Sequence, residues 1–273
     1  MCFNLCRDGK LEAVSSARQQ REYDRLVRYL RDAREILVFT GAGISTPSGI
    51  RDFRGPGGVW EQRQPVYYQD FMRSETARME HWDYKLEAWP SFQKAEPNAV
   101  HQAIARLEDA GKLRMVVTQN IDGLHERAGT SRGKLVEIHG TNAWIECQSC
   151  GELSEPEAHF AWFEEHHKPP ICHCGGFLKP ATISFGQNLR PEDLVRASDA
   201  AAGCDLIIAL GSTLSVYPAA NVPLEAAQHG APYIIINRGE TEHDAHPAVS
   251  LRLEGNVVEI FPPAVAESLA ESH

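Results

Sequence analysis

Two glycines separated by one residue follow an apolar run near the start of the sequence. The run at residues 36–39 ends at Thr40, and Gly41-Ala42-Gly43 comes next. A strand that feeds such a loop brings backbone N–H groups and a helix N-terminus up to a pyrophosphate. Thr46 stands where the full G-x-G-x-x-G pattern has its third glycine, so an ordinary structural turn is the alternative. The loop predicts a dinucleotide site, with Ser45 or Thr46 as the cap of the following helix.

Four of the seven cysteines form two close pairs, Cys147-x-x-Cys150 and Cys172-x-Cys174, with 21 residues between the pairs. Four thiolates around one ion make a closed, tetrahedral zinc site with no open position for a reacting water. The pattern therefore predicts structural zinc. His173 is a weak competing ligand, and reduced cysteines without a metal are the alternative.

Composition excludes several classes of protein. The chain has 273 residues, of which 42% are hydrophobic and 23% charged, and its 27 basic and 37 acidic residues give a net charge of −10. This charge argues against a surface that coats nucleic acid or a membrane. The sequence has no apolar stretch of roughly 20 residues and no signal-peptide pattern at its start, so we expect a cytoplasmic protein with reduced thiols.

Short apolar runs alternate with helical patterns along much of the chain, which is typical of a doubly wound α/β fold around a parallel sheet. The pattern predicts an amphipathic helix at residues 13–33, with Leu26, Leu30 and Ala33 on one face. Predicted strands lie at residues 36–39, 115–118, 135–138, 206–210, 233–236 and 257–260. Further helices are expected at 99–110, 191–202 and 219–229.

Polar residues or glycines follow most of the predicted strands. In an open parallel sheet, ligands bind at the carboxyl ends of the strands, so we expect these residues to share one crevice. They are Gly41, Ala42, Gly43, Gln119, Asn120, Ile121, Asp122, His139, Gly211, Ser212, Thr213, Asn237 and Arg238.

Several motifs together resemble the sirtuins, the NAD-dependent protein lysine deacylases. They are GAGISTPSGIRDFRGPGGVW at residues 41–60, TQNIDGLHERAG at 118–129, His139-Gly140, the two cysteine pairs, ISFG at 183–186, GSTLSVYPA at 211–219 and the strand ending at Asn237. The resemblance implies NAD as co-substrate, one structural zinc ion, and acylated lysine on protein substrates as the partner. No direct binding of nucleic acid or membrane is expected.

The resemblance also implies a division into domains. A Rossmann-like NAD-binding domain would comprise residues 35–58, 95–140 and 180–273. A smaller lobe, made of a helical module and a zinc ribbon, would comprise residues 59–94 and 141–179. Residues 1–34 would form an N-terminal extension that contains the amphipathic helix.

Roles for individual residues follow from the same resemblance. His139 would be the catalytic base, acting with Asn120, because histidine accepts protons near neutral pH. The substrate peptide would lie as an added strand between residues 185–186 and 214–217. The resemblance also implies which residues bind the cofactor. The pyrophosphate would contact Gly41, Ala42, Gly43 and Ser45, and the loop over the nicotinamide ribose would contain Asp52, Phe53, Arg54 and Trp60. The nicotinamide pocket would contain Gln119, Asn120, Ile121 and Asp122, and the phosphate and adenosine would contact Gly211, Ser212, Thr213, Asn237, Arg238, Gly255 and Val257.

One departure from the family concerns the acyl group. Relatives that remove acidic acyl groups carry a Tyr-x-x-Arg pair in the small lobe, and the nearest counterpart here, Tyr84-Lys85-Leu86-Glu87, lacks the arginine. The resemblance therefore argues against a preference for succinyl or malonyl groups.

Three other functions compete with deacylation. Mono-ADP-ribosyl transfer to protein would use the same NAD cleft. Hydride transfer is disfavoured, because Thr46 replaces the third glycine and no acid follows the first strand at the expected spacing. A non-enzymatic zinc-ribbon binding module is opposed by the net charge and by the polar strand ends.

Overall fold

The computed structural model describes residues 5–51 and 64–270, with side chains described from residue 17 onward. Within these ranges, none of the helices combines the length and apolar character needed to cross a membrane. Nine strands in two sheets organise the described chain into a large domain and a smaller lobe.

The large domain is built on a six-stranded sheet in which every neighbouring pair is parallel. Its spatial order is β3-β2-β1-β7-β8-β9, so the chain winds outward from β1 in both directions. This is the doubly wound arrangement that the sequence predicts. The strands are β1 (Ile36–Thr40), β2 (Leu113–Thr118), β3 (Leu135–Glu137), β7 (Leu206–Leu210), β8 (Tyr233–Asn237) and β9 (Val249–Glu254).

Helices cover both faces of this sheet, which explains why its central strands are apolar throughout. On one face pack α1 (Leu5–Asp32), α4 (Ala99–Asp109) and α9 (Val257–Ala270). On the other pack α7 (Pro191–Gly203) and α8 (Asn221–Gln228). The helices predicted at 99–110, 191–202 and 219–229 and five of the predicted strands are confirmed within a few residues.

The N-terminal helix belongs to the core of the large domain. It begins at Leu5, eight residues before the predicted start at residue 13. Leu26 and Leu30 are fully buried against the sheet, and Ala33 is buried just beyond the helix end. Lys112 fixes this end by donating hydrogen bonds to the carbonyl oxygens of Leu30, Arg31 and Ala33.

The predicted strand at residues 257–260 is wrong, because these residues begin the helix α9. The Oδ1 atom of Asn256 accepts a hydrogen bond of 3.2 Å from the Val258 N–H, which caps the helix. The buried positions Val257, Phe261 and Val265 recur with helical spacing. The sixth strand is instead β9, whose alternating sequence VSLRLE the apolar-run criterion missed.

The helix predicted after the glycine loop is also replaced, within the described residues, by two short 3-10 turns at Ala42–Ile44 and Thr46–Ser48. Ser45 makes no side-chain cap to either turn. Its hydroxyl is engaged elsewhere, as described below for the cleft.

The smaller lobe combines an antiparallel three-stranded sheet with helices. The sheet order is β5-β4-β6, with β4 at Gly140–Cys147, β5 at Leu153–Ser154 and β6 at Leu178–Thr182. The helices are α2 (Tyr68–Arg73), α3 (Glu75–Lys94) and α6 (Pro156–His166), while the short α5 (Leu124–Arg127) belongs to the large domain. Strands β4 and β6 run across the predicted domain boundaries at residues 140 and 180.

An aromatic core joins the two parts of the smaller lobe, which are distant in sequence. Trp82 of α3 is fully buried and packs edge-on against Phe160 of α6, with ring centroids 5.3 Å apart. Its Nε1–H donates to the carbonyl oxygen of Leu178 at 3.1 Å. One indole therefore fixes a helix to the sheet that carries the cysteines.

Replacing Phe261 by alanine tests the assignment of α9. Phe261 is fully buried on this helix, so Phe261→Ala should lower the free energy of unfolding by about 3 to 5 kcal/mol. The matched change Glu267→Gln, at an exposed position of the same helix, should stay within about 0.5 kcal/mol. Urea denaturation measures both, and equal effects would contradict the assignment.

Candidate functional site

A cleft of about 1130 Å³ lies at the carboxyl ends of the large sheet, with the smaller lobe as its opposite wall. Residues that follow all six parallel strands line it, as expected for a doubly wound fold. The predicted residues found in its lining are Gly41, Ala42, Gly43, Gln119, Asn120, Ile121, His139, Gly211, Ser212, Thr213, Asn237, Arg238, Gly255 and Val257.

Two predicted residues lie behind the wall of this cleft. The Ser45 hydroxyl donates to a carboxylate oxygen of Asp122 at 2.7 Å, and the other carboxylate oxygen accepts from the Leu124 N–H at 2.9 Å. Burial raises the pKa of Asp122, and these hydrogen bonds oppose that shift. Ser45 and Asp122 therefore stabilise the loops behind the cleft wall and do not line the cleft itself. Asp52, Phe53, Arg54 and Trp60 lie outside the described residues.

The two glycines of the first loop are required by contact with another loop of the protein. A Cβ atom on Gly41 would lie 2.7 Å from the carbonyl oxygen of Gly211, and one on Gly43 would lie 2.8 Å from it. The Gly43 N–H donates to that oxygen at 2.8 Å, and the Gly41 N–H donates to the carbonyl oxygen of Leu210 at 3.0 Å. The amides of Gly41 and Gly43 are therefore both engaged within the protein.

The Ala42 amide differs from its four neighbours in this loop. Within residues 41–45, the N–H groups of the other four residues donate to backbone carbonyl oxygens of the protein. Among the residues described, the Ala42 N–H alone of these five has no acceptor, and Ala42 lines the cleft. It is the one amide of this loop that remains for an anionic ligand.

Gln119 and Asn120 tie the loops of the cleft floor together. The Gln119 side chain donates to the Ser212 hydroxyl at 2.7 Å, which links the loops after β2 and β7. The Asn120 side-chain nitrogen donates to the Gly41 carbonyl oxygen at 3.2 Å and to the Ser45 hydroxyl at 3.1 Å. Because these bonds use both amide hydrogens of Asn120, only its side-chain oxygen is left to face a ligand.

His139 lies at the junction of the two lobes, between β3 and β4, and its side chain is partly exposed to the cleft. Its Nδ1 atom lies 3.2 Å from the carbonyl oxygen of Gln119. A carbonyl oxygen only accepts hydrogen bonds, so Nδ1 carries the proton and the lone pair of the neutral ring is on Nε2. The ring is thus held in the tautomer that a base acting through Nε2 requires.

His125, the other histidine near these motifs, lies in the core of the large domain. It is buried, and its Nε2 atom lies 3.0 Å from the Thr40 hydroxyl. Burial lowers the pKa of His125 well below its ordinary value. The ring therefore stays neutral within the core.

The far end of the cleft is formed by the loops after β8 and β9. The Asn237 side chain donates to the carbonyl oxygens of Arg238 and Gly239, both at 3.1 Å, which closes a tight turn. The Gly255 N–H donates to the Asn237 carbonyl oxygen at 3.1 Å, and Gly255 has a φ of 150° that favours glycine. Val257 then begins the N-terminal turn of α9.

The four cysteines of the smaller lobe come together in space. The sulfur atoms of Cys147 and Cys174 are 3.5 Å apart, those of Cys150 and Cys172 are 3.8 Å apart, and all four lie within 4.8 Å of one another. Tetrahedral zinc with 2.3 Å bonds to sulfur places its ligands about 3.8 Å apart. No disulfide joins them. The residues present therefore fit one zinc ion.

Neighbouring residues support this cysteine arrangement. A Cβ atom on Gly176 would lie 2.5 Å from the Cys147 sulfur, so only glycine fits there. The His173 Nδ1 atom lies 3.0 Å from a carboxylate oxygen of Glu152. His173 therefore contacts Glu152 beside the four-sulfur cluster.

Sequence reasoning missed the small-lobe wall of the cleft, where Tyr84, Lys85 and Thr182 lie. Lys85 is 8% exposed, and its Nζ atom donates to the Asn142 side-chain oxygen at 3.2 Å and to the Thr182 hydroxyl at 3.3 Å. No periodic pattern marks a lysine for burial. The one sequence feature that could have indicated burial is its position on the same helix face as His81 and Trp82, which are also buried.

Fold and cleft together define a two-lobed protein, in which a Rossmann-like domain faces a lobe that carries a four-cysteine metal site. The Sir2 family model matches residues 41–218. The chain belongs to the Sir2 family, which confirms the resemblance seen in its motifs.

Curated relatives and solved structures agree with this assignment. An NAD-dependent protein deacetylase of Rhodopseudomonas palustris is 43% identical over 213 residues, covering 78% of this chain and 84% of the relative. NAD-dependent protein deacetylase 1 of Bradyrhizobium diazoefficiens is 41% identical, covering 81% and 87%. A Sir2 structure with deacetylated p53 peptide and 3'-O-acetyl ADP-ribose has a TM-score of 0.81 at 36% identity, covering 89% of this chain and 97% of that one.

Elemental analysis of the purified protein tests the metal site. We expect about one zinc ion per chain, and Cys172→Ser should release most of it because three sulfurs cannot close the tetrahedron. Cys204→Ser is the matched control, since Cys204 lies outside the cluster. Full zinc content in Cys172→Ser, or none in the unaltered protein, would contradict the assignment.

Proposed function

We propose that the cleft carries out NAD-dependent removal of acyl groups from lysine side chains of proteins, with nicotinamide and O-acyl-ADP-ribose as products. The observation that carries this proposal is the position of His139. Its ring lies where the ends of the six strands meet the smaller lobe, in a chain of the Sir2 family. The related deacetylases act with the same co-substrate, as their names state.

The chemistry assigns distinct tasks to the two substrates. NAD supplies the ribose carbon that receives the acyl oxygen, with nicotinamide as the leaving group. The backbone amide of Ala42, together with Ser212 and Thr213, binds the phosphates and the neighbouring ribose. Asn237, Arg238, Gly255 and Val257 bind the adenosine end, where their loops form the cleft wall.

His139 acts as the general base on a ribose hydroxyl. The carbonyl oxygen of Gln119 holds the proton of the neutral ring on Nδ1, so that Nε2 accepts the hydroxyl proton. That proton transfer lets the sugar oxygen bond to the acyl carbon, the carbon–nitrogen bond to lysine breaks with release of the free amine, and one water supplies the remaining oxygen of O-acyl-ADP-ribose. Asn120, whose amide hydrogens bind Gly41 and Ser45, orients the nicotinamide end through its side-chain oxygen.

The substrate peptide adds as a strand between residues 185–186 and 214–217. The Phe185 carbonyl oxygen already accepts from the Tyr68 N–H at 2.9 Å, and that of Gly186 accepts from the Gln69 side chain at 2.9 Å. A carbonyl oxygen has a second lone pair, and the Gln69 side chain can move aside. The carbonyl oxygens of residues 185–186 can therefore accept hydrogen bonds from an added peptide strand.

The same proposal locates the enzyme in the cytoplasm, where cysteine thiols stay reduced and available to zinc. It includes no direct contact with nucleic acid, because the net charge of −10 disfavours such a partner.

Product analysis tests the activity. Incubation with NAD and an acetyl-lysine peptide should release nicotinamide only when the acyl peptide is present, with equal amounts of unmodified peptide and O-acetyl-ADP-ribose by mass spectrometry. The unacylated peptide is the control. ADP-ribose attached to protein would instead indicate mono-ADP-ribosyl transfer, and the absence of nicotinamide release would exclude the proposal.

Replacement of His139 tests the base. His139→Ala should lower the rate of O-acetyl-ADP-ribose formation by at least about a hundredfold, because the ribose hydroxyl loses its proton acceptor. His229→Ala, at an exposed position away from the cleft, should leave the rate within about twofold of the unaltered protein. A His139→Ala protein of normal melting temperature and undiminished rate would refute the role.

A further inference from the structure

His243 lies behind the rim of the cleft and bridges two tyrosines. Its side chain is 2% exposed. The Nδ1 atom lies 2.9 Å from the hydroxyl oxygen of Tyr233, and the Nε2 atom lies 3.3 Å from the hydroxyl oxygen of Tyr217. Tyr233 is fully buried in β8, whereas Tyr217 is 52% exposed and lines the cleft. The imidazole therefore joins a phenol fixed in the core to a phenol at the cleft surface.

The loop that carries His243, residues 238–248, is itself held on both sides of this position. The Nε–H group of Arg252, in β9, donates to a carboxylate oxygen of Asp244 at 2.8 Å. The Glu242 N–H donates to the Thr213 carbonyl oxygen at 3.0 Å, which attaches this loop to the loop after β7. Because these contacts fix the chain next to position 243, the imidazole has a defined place from which to hold a neighbouring side chain.

The buried phenol determines which nitrogen of the imidazole carries the proton. Burial, together with the nearby His246, lowers the pKa of His243, so the neutral ring has one N–H donor and one acceptor nitrogen. Among the described residues, the hydroxyl of Tyr233 has only this imidazole as a hydrogen-bond partner. A buried donor without an acceptor is costly, so the Tyr233 hydroxyl donates to Nδ1 and the proton of the ring is on Nε2.

This arrangement leaves one hydroxyl hydrogen at the cleft surface. The Nε2–H group of His243 donates to the Tyr217 oxygen, so the hydrogen of the Tyr217 hydroxyl is left for another acceptor. Tyr217 belongs to residues 214–217, the edge to which the substrate peptide is proposed to add. Each residue of a peptide main chain supplies a carbonyl oxygen that accepts such a hydrogen bond. A bound peptide therefore meets an oriented donor.

We propose that His243 is a positioning residue for the peptide substrate, which holds the Tyr217 side chain so that its hydroxyl donates to a carbonyl oxygen of the bound peptide. The inference rests on the proposed deacylase function and extends it to a residue that does not line the cleft. The turn at Asn237 is closed by its own hydrogen bonds to Arg238 and Gly239. Loss of the imidazole should therefore weaken peptide binding and leave NAD binding unchanged.

Steady-state kinetics of the full chain with NAD and an acetyl-lysine peptide test this proposal. His243→Phe keeps a planar ring without its nitrogen atoms. It should raise the KM for the peptide about three- to tenfold, which corresponds to one hydrogen bond, with kcat and the KM for NAD within about twofold. His246→Phe, at an exposed position of the same loop, is the matched control and should keep the peptide KM. A folded His243→Phe protein with an unchanged peptide KM would overturn the proposal.

Two amide variants separate positioning from a merely structural role. His243→Gln places an amide near the position of Nε2, so it should recover most of the peptide affinity while the buried Tyr233 hydroxyl loses its partner and the melting temperature falls. His243→Asn places its amide near the position of Nδ1, so it should recover the melting temperature and keep the raised peptide KM. If the peptide KM instead follows the melting temperature across these variants, the positioning role is refuted.

Tyr217→Phe provides a test that does not depend on a buried position. It removes only the exposed hydroxyl and should raise the peptide KM by about the same factor as His243→Phe. Combining the two changes should raise it no further, because both act through one hydrogen bond. Additive increases would contradict the proposal. If His243→Phe does not fold, as judged by its melting curve, an unchanged peptide KM in Tyr217→Phe refutes it.

Nicotinamide release by the unaltered protein separates failure of this inference from failure of the proposed function. Release that depends on the acetyl peptide, with a peptide KM that none of the substitutions at positions 217 and 243 alters, refutes the role of His243 alone. No release with the acetyl peptide refutes both.

Discussion

The direct backbone contact between the loops after β1 and β7 is the constraint on which the cleft depends. The two central strands run side by side, and their following loops meet so closely that Gly41 and Gly43 leave no room for a Cβ atom against Gly211. The N–H groups of Gly41 and Gly43 both donate hydrogen bonds within this contact. The glycines therefore permit this close packing, and of the amides at residues 41–45 only that of Ala42 has no acceptor within the part of the chain that the structure describes.

Side-chain hydrogen bonds extend this constraint across the floor of the cleft. Gln119 links the loop after β2 to Ser212, and Asn120 links it to Gly41 and Ser45, which in turn binds Asp122. The same loop orients His139 through the Gln119 carbonyl oxygen. One network of fixed hydrogen-bond partners therefore positions both His139 and the loop after β1.

Several elements could be predicted from the sequence because they depend on local pattern. The fully apolar strand at Leu206–Leu210 and the two cysteine pairs are of this kind. Other elements could not. The run at residues 257–260 reads as a strand by composition, but Asn256 caps a helix there. The alternating strand Val249–Glu254 was missed, because the apolar-run criterion does not detect a strand at the edge of a sheet.

The sequence by itself determined the types of the reactive residues and the strand ends on which they stand. It identified the four cysteines and the family and it predicts a role for His139, since these depend on residue identity and spacing. Only the tertiary structure decided, among the described residues, which backbone amides remain available and which lysine is buried at the cleft wall. Gly43 and Gly211 are far apart in the chain, as are Lys85 and Thr182, and their proximity arises when the sheets and helices pack. No local pattern encodes such distances, because burial and pairing are properties of the assembled core.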